Sequence, residues 1–290
     1  MAHIKNKVPD NIDGQFFVDT SCINCDVCRK LAPGFFADNG EYSYVKKDPQ
    51  TKEEITRCQM ALVSCPVGSI GSNTSKELKN AKQAFPLEIV QDTVFYLGYT
   101  SKNSYGADSY FIKSSRGNWM IDSPRFNQSL AKKLLELGGV KYIFLSHRDD
   151  VADADKYAEF FKAQRIIHQK EKEACPNAEI VLAGTEDYPL DDAVIIMTPG
   201  HTEGHMCLAY DSQFLFTGDH FAWSRKLEQF TSFRDYCWYS WEEQIKSVEK
   251  LKKLKDISWV LPGHGRKKEI KKGSFPQIIK EATQRMRSQH

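Results

Sequence analysis

Four cysteines in the first quarter of the chain have the spacing of ligands to a single iron–sulfur cluster. Cys22, Cys25 and Cys28 are separated by two residues each, so one tight loop can present three thiolates to three corners of a cubane. Cys65, directly followed by Pro66, provides a fourth thiolate from a distant part of the sequence. This pattern predicts one 4Fe–4S cluster held by these four cysteines.

The sequence around these cysteines resembles the ferredoxins from about Phe16 to Ile70. The resembling region contains Phe-Phe-Val-Asp before the cysteines at 22, 25 and 28, and it contains Cys65-Pro-Val-Gly-Ser near its carboxyl end. It implies a small ferredoxin-like domain. The spacing also leaves open a zinc knuckle built from the same four cysteines, although zinc sites usually pair two C-x2-C arms.

A second cluster is not expected. In the ferredoxin run C-x2-C-x2-C-x3-C-P the fourth cysteine ligates the second cluster, and this sequence has Ala32 at that position. When the second half is aligned on Cys65, the remaining ligand positions fall on Ile55, Cys58 and Ala61. Because one thiolate cannot hold a cubane, we interpret Cys58 as a buried residue that does not bind the cluster.

Residues that bind harder metals occupy four polar turns farther along the chain. Each turn follows a short apolar run that predicts a strand, so the turns are expected at strand carboxyl ends. The turns carry His147, His201, Asp219 and His264. Histidine and aspartate converging from such strand ends favour a metal site in one cleft.

These motifs resemble the metallo-β-lactamase superfamily over about residues 87 to 268. Asp122 resembles the first conserved aspartate of that family. His201, Asp219 and His264 match its third, fourth and fifth motifs. The resemblance implies that Asp219 bridges two metals and that the two histidines each bind one. The whole chain resembles the ferredoxin-fused, metallo-hydrolase-like proteins of bacteria and plants.

The second motif departs from the family pattern H-x-H-x-D-H. His147 fits the first histidine, and Asp149 stands where the second belongs. With two residues inserted, Asp153 matches the aspartate of the motif and Ala154 replaces its last histidine. The resemblance then implies one well-formed metal position and one weakly occupied position. The first comprises His147, Asp149, His201 and Asp219, and the second comprises Asp153, Asp219 and His264.

The expected cofactors are one 4Fe–4S cluster and one or two divalent metal ions, zinc or iron. The carboxylate of Asp149 in place of an imidazole makes the first position harder, which favours iron or manganese over zinc. The flavodiiron branch of the superfamily has a comparable carboxylate and does redox chemistry at iron, which is an analogy of fold and ligand type. His168, His205 and His220 are further candidate ligands, which we interpret as supporting or structural residues.

The predicted fold class is α+β, with a small ferredoxin-like domain followed by an αββα metallo-β-lactamase sandwich. Short hairpin-spaced strands followed by strand–helix alternation favour this sandwich over a barrel or a Rossmann sheet. The predicted helices are Gln128–Leu137, Ala152–Lys162, Trp241–Leu254 and Phe275–Arg287. The predicted domains are residues 1–72 (single-cluster ferredoxin), 73–86 (polar linker) and 87–290 (metallo-β-lactamase-like).

Composition narrows the possible partners and the compartment. The 290 residues are 41% hydrophobic and 27% charged, and a net charge of +2 implies no nucleic-acid partner. No apolar run approaches about 18 residues and the polar first residues predict no secretory signal, so no membrane partner is expected. Cluster thiolates need a reducing compartment, which favours the cytoplasm.

Three functions are compatible with these motifs. A metal-dependent hydrolase would activate a water at the metal, with Asp153 or Asp219 accepting its proton. A redox enzyme would pass electrons from the cluster to an iron centre, and a non-enzymatic protein would sense iron or redox state. We favour a hydrolase acting on an unknown small-molecule substrate, with an electron-donor protein as a further partner.

Few residues are candidates for substrate contacts. Arg125 and Arg225 could bind a carboxylate or a phosphate, and ion pairs with other residues are the alternative. Trp238 and Trp241, which are three residues apart in an aromatic segment after Asp219, are interpreted as core residues.

Overall fold

The computed structural model describes residues 2–73 and 78–289, which form two compact units. The first unit extends to Phe111 and includes Pro124–Gly139, and the second comprises Ile112–Ser123 and the chain from Val140 onward. Within the described residues, no helix is both long enough and apolar enough to cross a membrane.

The first unit consists of small antiparallel strand pairs and short helices. Its strands are β1 (Phe16–Val18), β2 (Phe36–Asp38), β3 (Ser43–Val45), β4 (Ile70–Ser72), β5 (Leu87–Val90), β6 (Val94–Tyr96) and β7 (Tyr110–Ile112), the last of which ends in the second unit. Its helices are α1 (Val27–Leu31), α2 (Lys52–Ser64), α3 (Lys79–Gln83) and α4 (Gln128–Glu136). β1 pairs with β4, β2 with β3, and β5 with β6.

Helix α2 carries the last of the cluster cysteines. It begins at a capping box, in which the Thr51 hydroxyl accepts the backbone N–H of Glu54, and Cys65 is its C-cap residue. Its inner face places Cys58 and Ala61 in an apolar core, where both are 0% exposed. Core packing therefore occupies the positions at which a second cluster would need ligands.

Part of the predicted linker is helical. Residues 74–77 lie outside the described residues, whereas α3 occupies the middle of the remaining stretch. Phe85 is fully buried and packs against Tyr96 and Tyr99, with ring centroids 6.2 and 5.4 Å apart. One large apolar side chain, Phe85, thus anchors a segment whose overall composition is polar. The predicted domain boundaries, at residues 72 and 87, stay a prediction.

The described strands of the second unit fall into three groups. Its strands are β8 (Trp119–Ile121), β9 (Tyr142–Phe144), β10 (Gln164–His168), β11 (Ile180–Leu182), β12 (Tyr188–Leu190), β13 (Ala193–Met197), β14 (Met206–Tyr210), β15 (Phe214–Gly218), β16 (Ala222–Ser224), β17 (Gln229–Thr231), β18 (Trp259–Pro262) and β19 (Lys268–Glu269). Its helices are α5 (Ala154–Phe161), α6 (Trp241–Lys250) and α7 (Phe275–Arg287). The predicted helix Trp241–Leu254 ends four residues early, because Leu251–Lys253 forms a 3₁₀ turn.

The strands of the second unit pair so that several carboxyl ends lie together. β8, β9, β10 and β11 are successive parallel neighbours. The second sheet has the order β12-β13-β14-β15-β18-β19 and is antiparallel except for the parallel pair β15–β18. Helices α6 and α7 pack on this sheet through an apolar core that includes Ile196, Leu215, Val248, Ile279 and Met286. These helices stabilise the sheet that carries three of the polar turns.

Candidate functional site

The four predicted cluster cysteines line one cavity in the first unit. Cys22 and Cys25 lie in the loop before α1, Cys28 lies in α1, and Cys65 follows α2. Pro66 and Ser69 line the same cavity, and the Ser69 hydroxyl lies 3.4 Å from the sulfur of Cys65. Two separate segments therefore deliver four sulfurs to one place.

Local hydrogen bonds shape the cysteine loop. The sulfur of Cys22 accepts the backbone N–H groups of Asn24 and Ser43, both at 3.4 Å. The buried Arg29 donates to the carboxylate of Asp26 and to the side-chain oxygen of Asn24, both at 2.6 Å. Asn24 and Asp26 have positive φ angles of 55° and 70°, so these bonds hold the two left-handed residues that turn the loop.

The chemistry of the cavity fits an iron–sulfur cluster. Burial raises the pKa of the Cys25 and Cys28 thiols to about 12, which disfavours thiolates there without a nearby positive charge. Iron ions provide such a charge, and metal binding deprotonates the thiols. A set of four cysteines is the usual ligand set of a 4Fe–4S cluster.

Arg125 holds the end of α2 that carries Cys65. Its guanidinium donates to the backbone carbonyls of Val63, of Cys65 at 3.2 Å and of Thr100 at 2.5 Å. The guanidinium also lies over the ring of Tyr99 at 5.8 Å. These contacts give Arg125 the role of holding backbone carbonyls rather than that of binding a substrate anion.

In the second unit, polar residues meet at the carboxyl ends of strands. β8 and β9 are parallel neighbours, and they are followed by Asp122 and His147. β15 and β18 are also parallel neighbours, and they are followed by Asp219 and His264. His201 lies in the turn between β13 and β14. The expected placement of these turns at strand ends is confirmed.

Asp122 orients His147 through Ser146. The carboxylate of Asp122 accepts the backbone N–H of Ser146 at 2.7 Å and its hydroxyl at 2.9 Å. The Ser146 hydroxyl oxygen lies 2.9 Å from Nδ1 of His147. With Nδ1 engaged, Nε2 is the ring nitrogen left to bind a metal.

His147, His201 and Asp219 form the first candidate ligand group, with ligand atoms all within 4.8 Å of one another. Oδ2 of Asp219 lies 3.7 Å from Nε2 of His147 and 3.8 Å from Nε2 of His201. Both Nε2 atoms are buried and have no hydrogen-bond partner in the described part of the chain. Such buried polar atoms call for a bound metal or another polar partner. Asp149 lies beside this group, with Oδ2 3.7 Å from each Nε2 and its side chain 45% exposed.

Asp150, Asp219 and His264 form the second candidate ligand group. Asp219 is a member of both groups, and its Oδ1 lies at hydrogen-bond distance, 2.7 Å, from Nδ1 of His264. Gly263 permits this approach, since a Cβ there would lie 2.8 Å from Oδ2 of Asp150 and 2.9 Å from Oδ1 of Asp219. A side chain at position 263 would therefore require at least one of the two carboxylates to move.

Asp153 does not join the second group. The 3₁₀ turn Arg148–Asp150 carries Asp150 into the interior, where it is 1% exposed. Asp153 immediately precedes α5, and its carboxylate forms an ion pair with Lys156 at 2.8 Å. The structure thus gives Asp150 the place that the alignment of the second motif gave Asp153.

Burial and neighbouring charges set the ionisation of the centre. Burial lowers the pKa of His147 to about 4, so this imidazole is neutral at pH 7 and able to act as a ligand. Burial raises the pKa of Asp219, but the surrounding histidines lower it by more than burial raises it. The pKa of Asp219 therefore lies well below its usual range. Neutral imidazoles and an ionised carboxylate are the protonation states that metal binding requires.

The other histidines named as candidates lie outside both ligand groups. His205 and His220 have ring centroids 5.2 Å apart, and His205 lies 5.2 Å from His147. His220 is 0% exposed, and burial lowers its pKa to about 3. His168 accepts the backbone N–H of Lys170 at 3.2 Å. Their interpretation as supporting or structural residues agrees with these positions.

Glu171 connects two of the metal-site turns and was missed in the sequence. Its fully buried carboxylate accepts the backbone N–H of Gly204 at 2.7 Å, in the turn that carries His201. It also accepts the N–H of Arg148 at 3.3 Å, next to His147. Partners of this kind orient metal ligands. The surrounding run of alternating charges indicates an exposed surface, so the sequence contained no clear sign of this role.

Comparison with known families agrees with both regions. Residues 18–72 match the 4Fe-4S single cluster domain of ferredoxin I. Residues 96–281, more than half of the chain, match the metallo-beta-lactamase superfamily. The chain is therefore a metalloprotein of mixed α/β fold that carries a ferredoxin domain. It belongs to the metallo-beta-lactamase superfamily, which confirms the predicted family, fold class and cofactor types. A comparison with curated proteins gave no match.

Solved structures with a similar fold are metallo-beta-lactamases. The DIM-1 enzyme exposed to ceftazidime is 16% identical, with 68% of this chain and 95% of that chain aligned and a TM-score of 0.53. The enzyme from Hirschia baltica is 14% identical, with 69% and 96% aligned and a TM-score of 0.53. At such low identities the likeness concerns the fold alone.

Proposed function

We propose that the chain is a metal-dependent hydrolase whose active centre is the group His147, His201 and Asp219. The observation that carries this proposal is the convergence of three ligand atoms within 4.8 Å, two of them buried imidazole nitrogens that lack any hydrogen-bond partner among the described residues. A divalent metal bound there would polarise the scissile bond and make water nucleophilic at neutral pH.

The surrounding residues have separate tasks in this proposal. Asp219 serves both ligand groups, and Asp150 and His264 form the second. The second group has one imidazole where the first has two, so we infer that it binds metal more weakly. Asp150 is buried beside Asp219, which makes it a better proton acceptor for the attacking water than Asp153, whose carboxylate pairs with Lys156. Asp149 adds an outer oxygen to the first group.

The experiment is an assay of the full chain, loaded separately with zinc and iron, on ester, thioester and phosphodiester probes. We expect hydrolysis of one probe class, its loss in His201→Ala, and its retention in Cys65→Ala, which removes a cluster ligand only. The outcome that overturns the proposal is absence of hydrolysis in every class, or equal rates with and without His201.

A second candidate function is favoured by the ferredoxin domain, because hydrolysis needs no electrons. A redox enzyme would use the cluster to pass single electrons from a donor protein to iron or manganese at the His147 group. Zinc has no accessible redox couple, so zinc as the native metal would exclude this candidate. For either candidate we infer a small-molecule substrate and a reducing compartment such as the cytoplasm.

A further inference from the structure

The segment between β17 and α6 presents three exposed aromatic side chains. Tyr236, Trp238 and Tyr239, here called the aromatic rim, are 60%, 58% and 50% exposed. Single exposed aromatic residues are common on protein surfaces, but a run of three within four positions is a large apolar surface left in water. Their amphipathic rings are suited to binding flat ligands.

The aromatic rim lies beside a residue of the first ligand group. The ring centroid of Trp238 is 6.3 Å from that of His201, and the ring of Tyr236 packs edge-on against Trp238 at 6.3 Å. A substrate whose reactive bond lies at His201 would therefore have the atoms a few bonds away next to Trp238.

The backbone of the segment is fixed to the same turn. The N–H groups of Trp238 and Tyr239 both donate to the carbonyl of His201, at 2.8 and 3.2 Å. The N–H of Ser240 donates to the carbonyl of Gly200 at 3.1 Å, and Ser240 then caps helix α6. The aromatic rim is thus held in place before any ligand arrives, which lowers the entropic cost of binding.

The aromatic rim is not needed to fill the core. Trp241, three residues after Trp238, packs against the core under α6 and α7, and its indole N–H donates to the carbonyl of Met286 at 3.3 Å. The interpretation of Trp238 as a core residue is wrong, whereas Trp241 is confirmed as partly buried against the core. The chain therefore buries one tryptophan of the pair and leaves the other in water.

Charges near the aromatic rim come in pairs of opposite sign. Lys170 forms an ion pair with Glu203 at 2.8 Å, and it lies near enough to Tyr239 to interact with it electrostatically. The flanking residues Arg234 and Asp235 are also of opposite sign. The rim thus combines apolar area with little net charge, which suits an uncharged group.

We propose that the aromatic rim is the binding subsite for a flat, uncharged aromatic or apolar part of the substrate, a few bonds from the group held at the metal centre. This inference rests on the proposed hydrolase function, because it takes His201 as a metal ligand. The substrate class is then a small molecule with a hydrolysable polar group and a nearby aromatic or comparably flat substituent.

The test compares binding of two carboxylates, 4-phenylbutanoate and butanoate, to the zinc-loaded full chain by isothermal titration calorimetry. Both offer a carboxylate to the metal, and only the first offers a ring to the aromatic rim. We expect the wild-type chain to prefer phenylbutanoate by about tenfold. Trp238→Ala should bring the ratio of the two affinities close to one, while Trp238→Phe keeps most of the preference.

Tyr188→Ala, which removes an exposed aromatic side chain on strand β12, is the matched control and should keep the preference. Zinc content is measured in every variant. An unchanged ratio in Trp238→Ala with normal zinc content, or no preference in the wild-type chain, overturns the proposed subsite. Because the assay needs no turnover, a preference lost in Trp238→Ala supports the subsite even if no probe is hydrolysed, and that failure would count against the hydrolase function alone.

Discussion

The cysteine cavity and the metal centre differ in how far apart in the chain their parts arise. Three of the four cysteines come from a single segment of seven residues, Cys22–Cys28, and their spacing already predicts the site. The ligands of the metal centre follow four separate strands, and a single 3₁₀ turn decides whether Asp150 or Asp153 faces the interior. Ligands that lie close together in the sequence can be predicted from their spacing. Ligands that the fold brings together from distant segments depend also on the direction in which each side chain faces, which spacing does not show.

Burial has opposite consequences for metal binding at the two sites. In both, burial disfavours the charged form: it raises the pKa of Cys25 and Cys28 to about 12 and lowers the pKa of His147 to about 4. An imidazole binds metal in its neutral form, so burial prepares His147 for a metal. A cysteine binds as the thiolate, so the cysteine cavity needs the cluster irons to reach its working state.

The largest expected effect is loss of the whole cluster when one sulfur is removed. Cys65→Ala should abolish the brown colour and the approximately four cluster irons of anaerobically purified protein. Cys58→Ala should keep both, because Cys58 lies in the apolar core. Iron analysis with visible absorption makes the comparison, and a cluster lost equally in both variants would contradict the ligand assignment.

The next effect tests which carboxylate belongs to the metal centre. Asp150→Ala should weaken binding at the second position by more than about 100-fold, the upper range for residues that only support ligands. Asp153→Ala should leave metal affinity unchanged, since its carboxylate pairs with Lys156. Competition with a chromogenic chelator measures both affinities. A loss of affinity in Asp153→Ala but not in Asp150→Ala would show that Asp153 is the ligand, as the sequence alignment predicted, and that Asp150 is not.

A pH effect follows from the buried imidazoles of the metal-free chain. Burial lowers the pKa of His220 from 6.5 to about 3, so the unfolded chain binds the proton first as pH falls. Stability is therefore fully present above about pH 6.5 and is lost progressively below it, by on the order of 3 kcal/mol at pH 4 from His220 alone. Urea unfolding of metal-free protein between pH 7 and pH 4 measures this, and His220→Phe should show a shallower dependence. An unchanged slope in that variant would exclude His220 as the cause.

A smaller effect is expected at Glu171. Glu171→Gln keeps the size of the side chain but removes its charge, so the N–H groups of Gly204 and Arg148 are held less firmly. Metal affinity should fall about 10- to 100-fold, as for other residues that orient metal ligands. Glu173→Gln, a change to an exposed neighbour, should have no effect on the same chelator competition. Equal affinities in the two variants would reduce Glu171 to a purely structural residue.

The smallest effect concerns the cluster. The charge of Arg125 next to Cys65 should stabilise the reduced cluster, which is the more negative form. Arg125→Gln should lower its reduction potential on the order of tens of millivolts, whereas Arg125→Lys should lower it less. A spectroelectrochemical titration of protein with equal cluster content measures the shift, and an unchanged potential would limit Arg125 to holding the backbone.

Much of the fold was predictable because its elements have clear periodicity. Helix α7 has the predicted bounds, and α4 ends one residue early. Of the predicted site residues of the second unit, His147, His201, Asp219 and His264 lie in the two candidate ligand groups. Asp149 lies beside the first group, and Asp150 takes the place predicted for Asp153. That exchange and the role of Glu171 in connecting two turns both depend on whether a charged side chain faces the interior or the solvent. The sequence pattern of a charged residue in a turn is the same in both cases. Trp238 was misread for a different reason, since its apolar character predicts burial whereas its side chain is exposed.

In the proposed hydrolase, the metal centre acts without receiving electrons from the cluster. The most direct measurement is stopped-flow reoxidation of the dithionite-reduced cluster by oxygen, in the wild-type chain with its native metal and in His201→Ala. We expect the same reoxidation rate in both proteins, because the cluster of a hydrolase reacts with oxygen independently of the metal centre. Much faster reoxidation in the wild-type chain would show that electrons leave through the metal at His201, and it would contradict the hydrolase function.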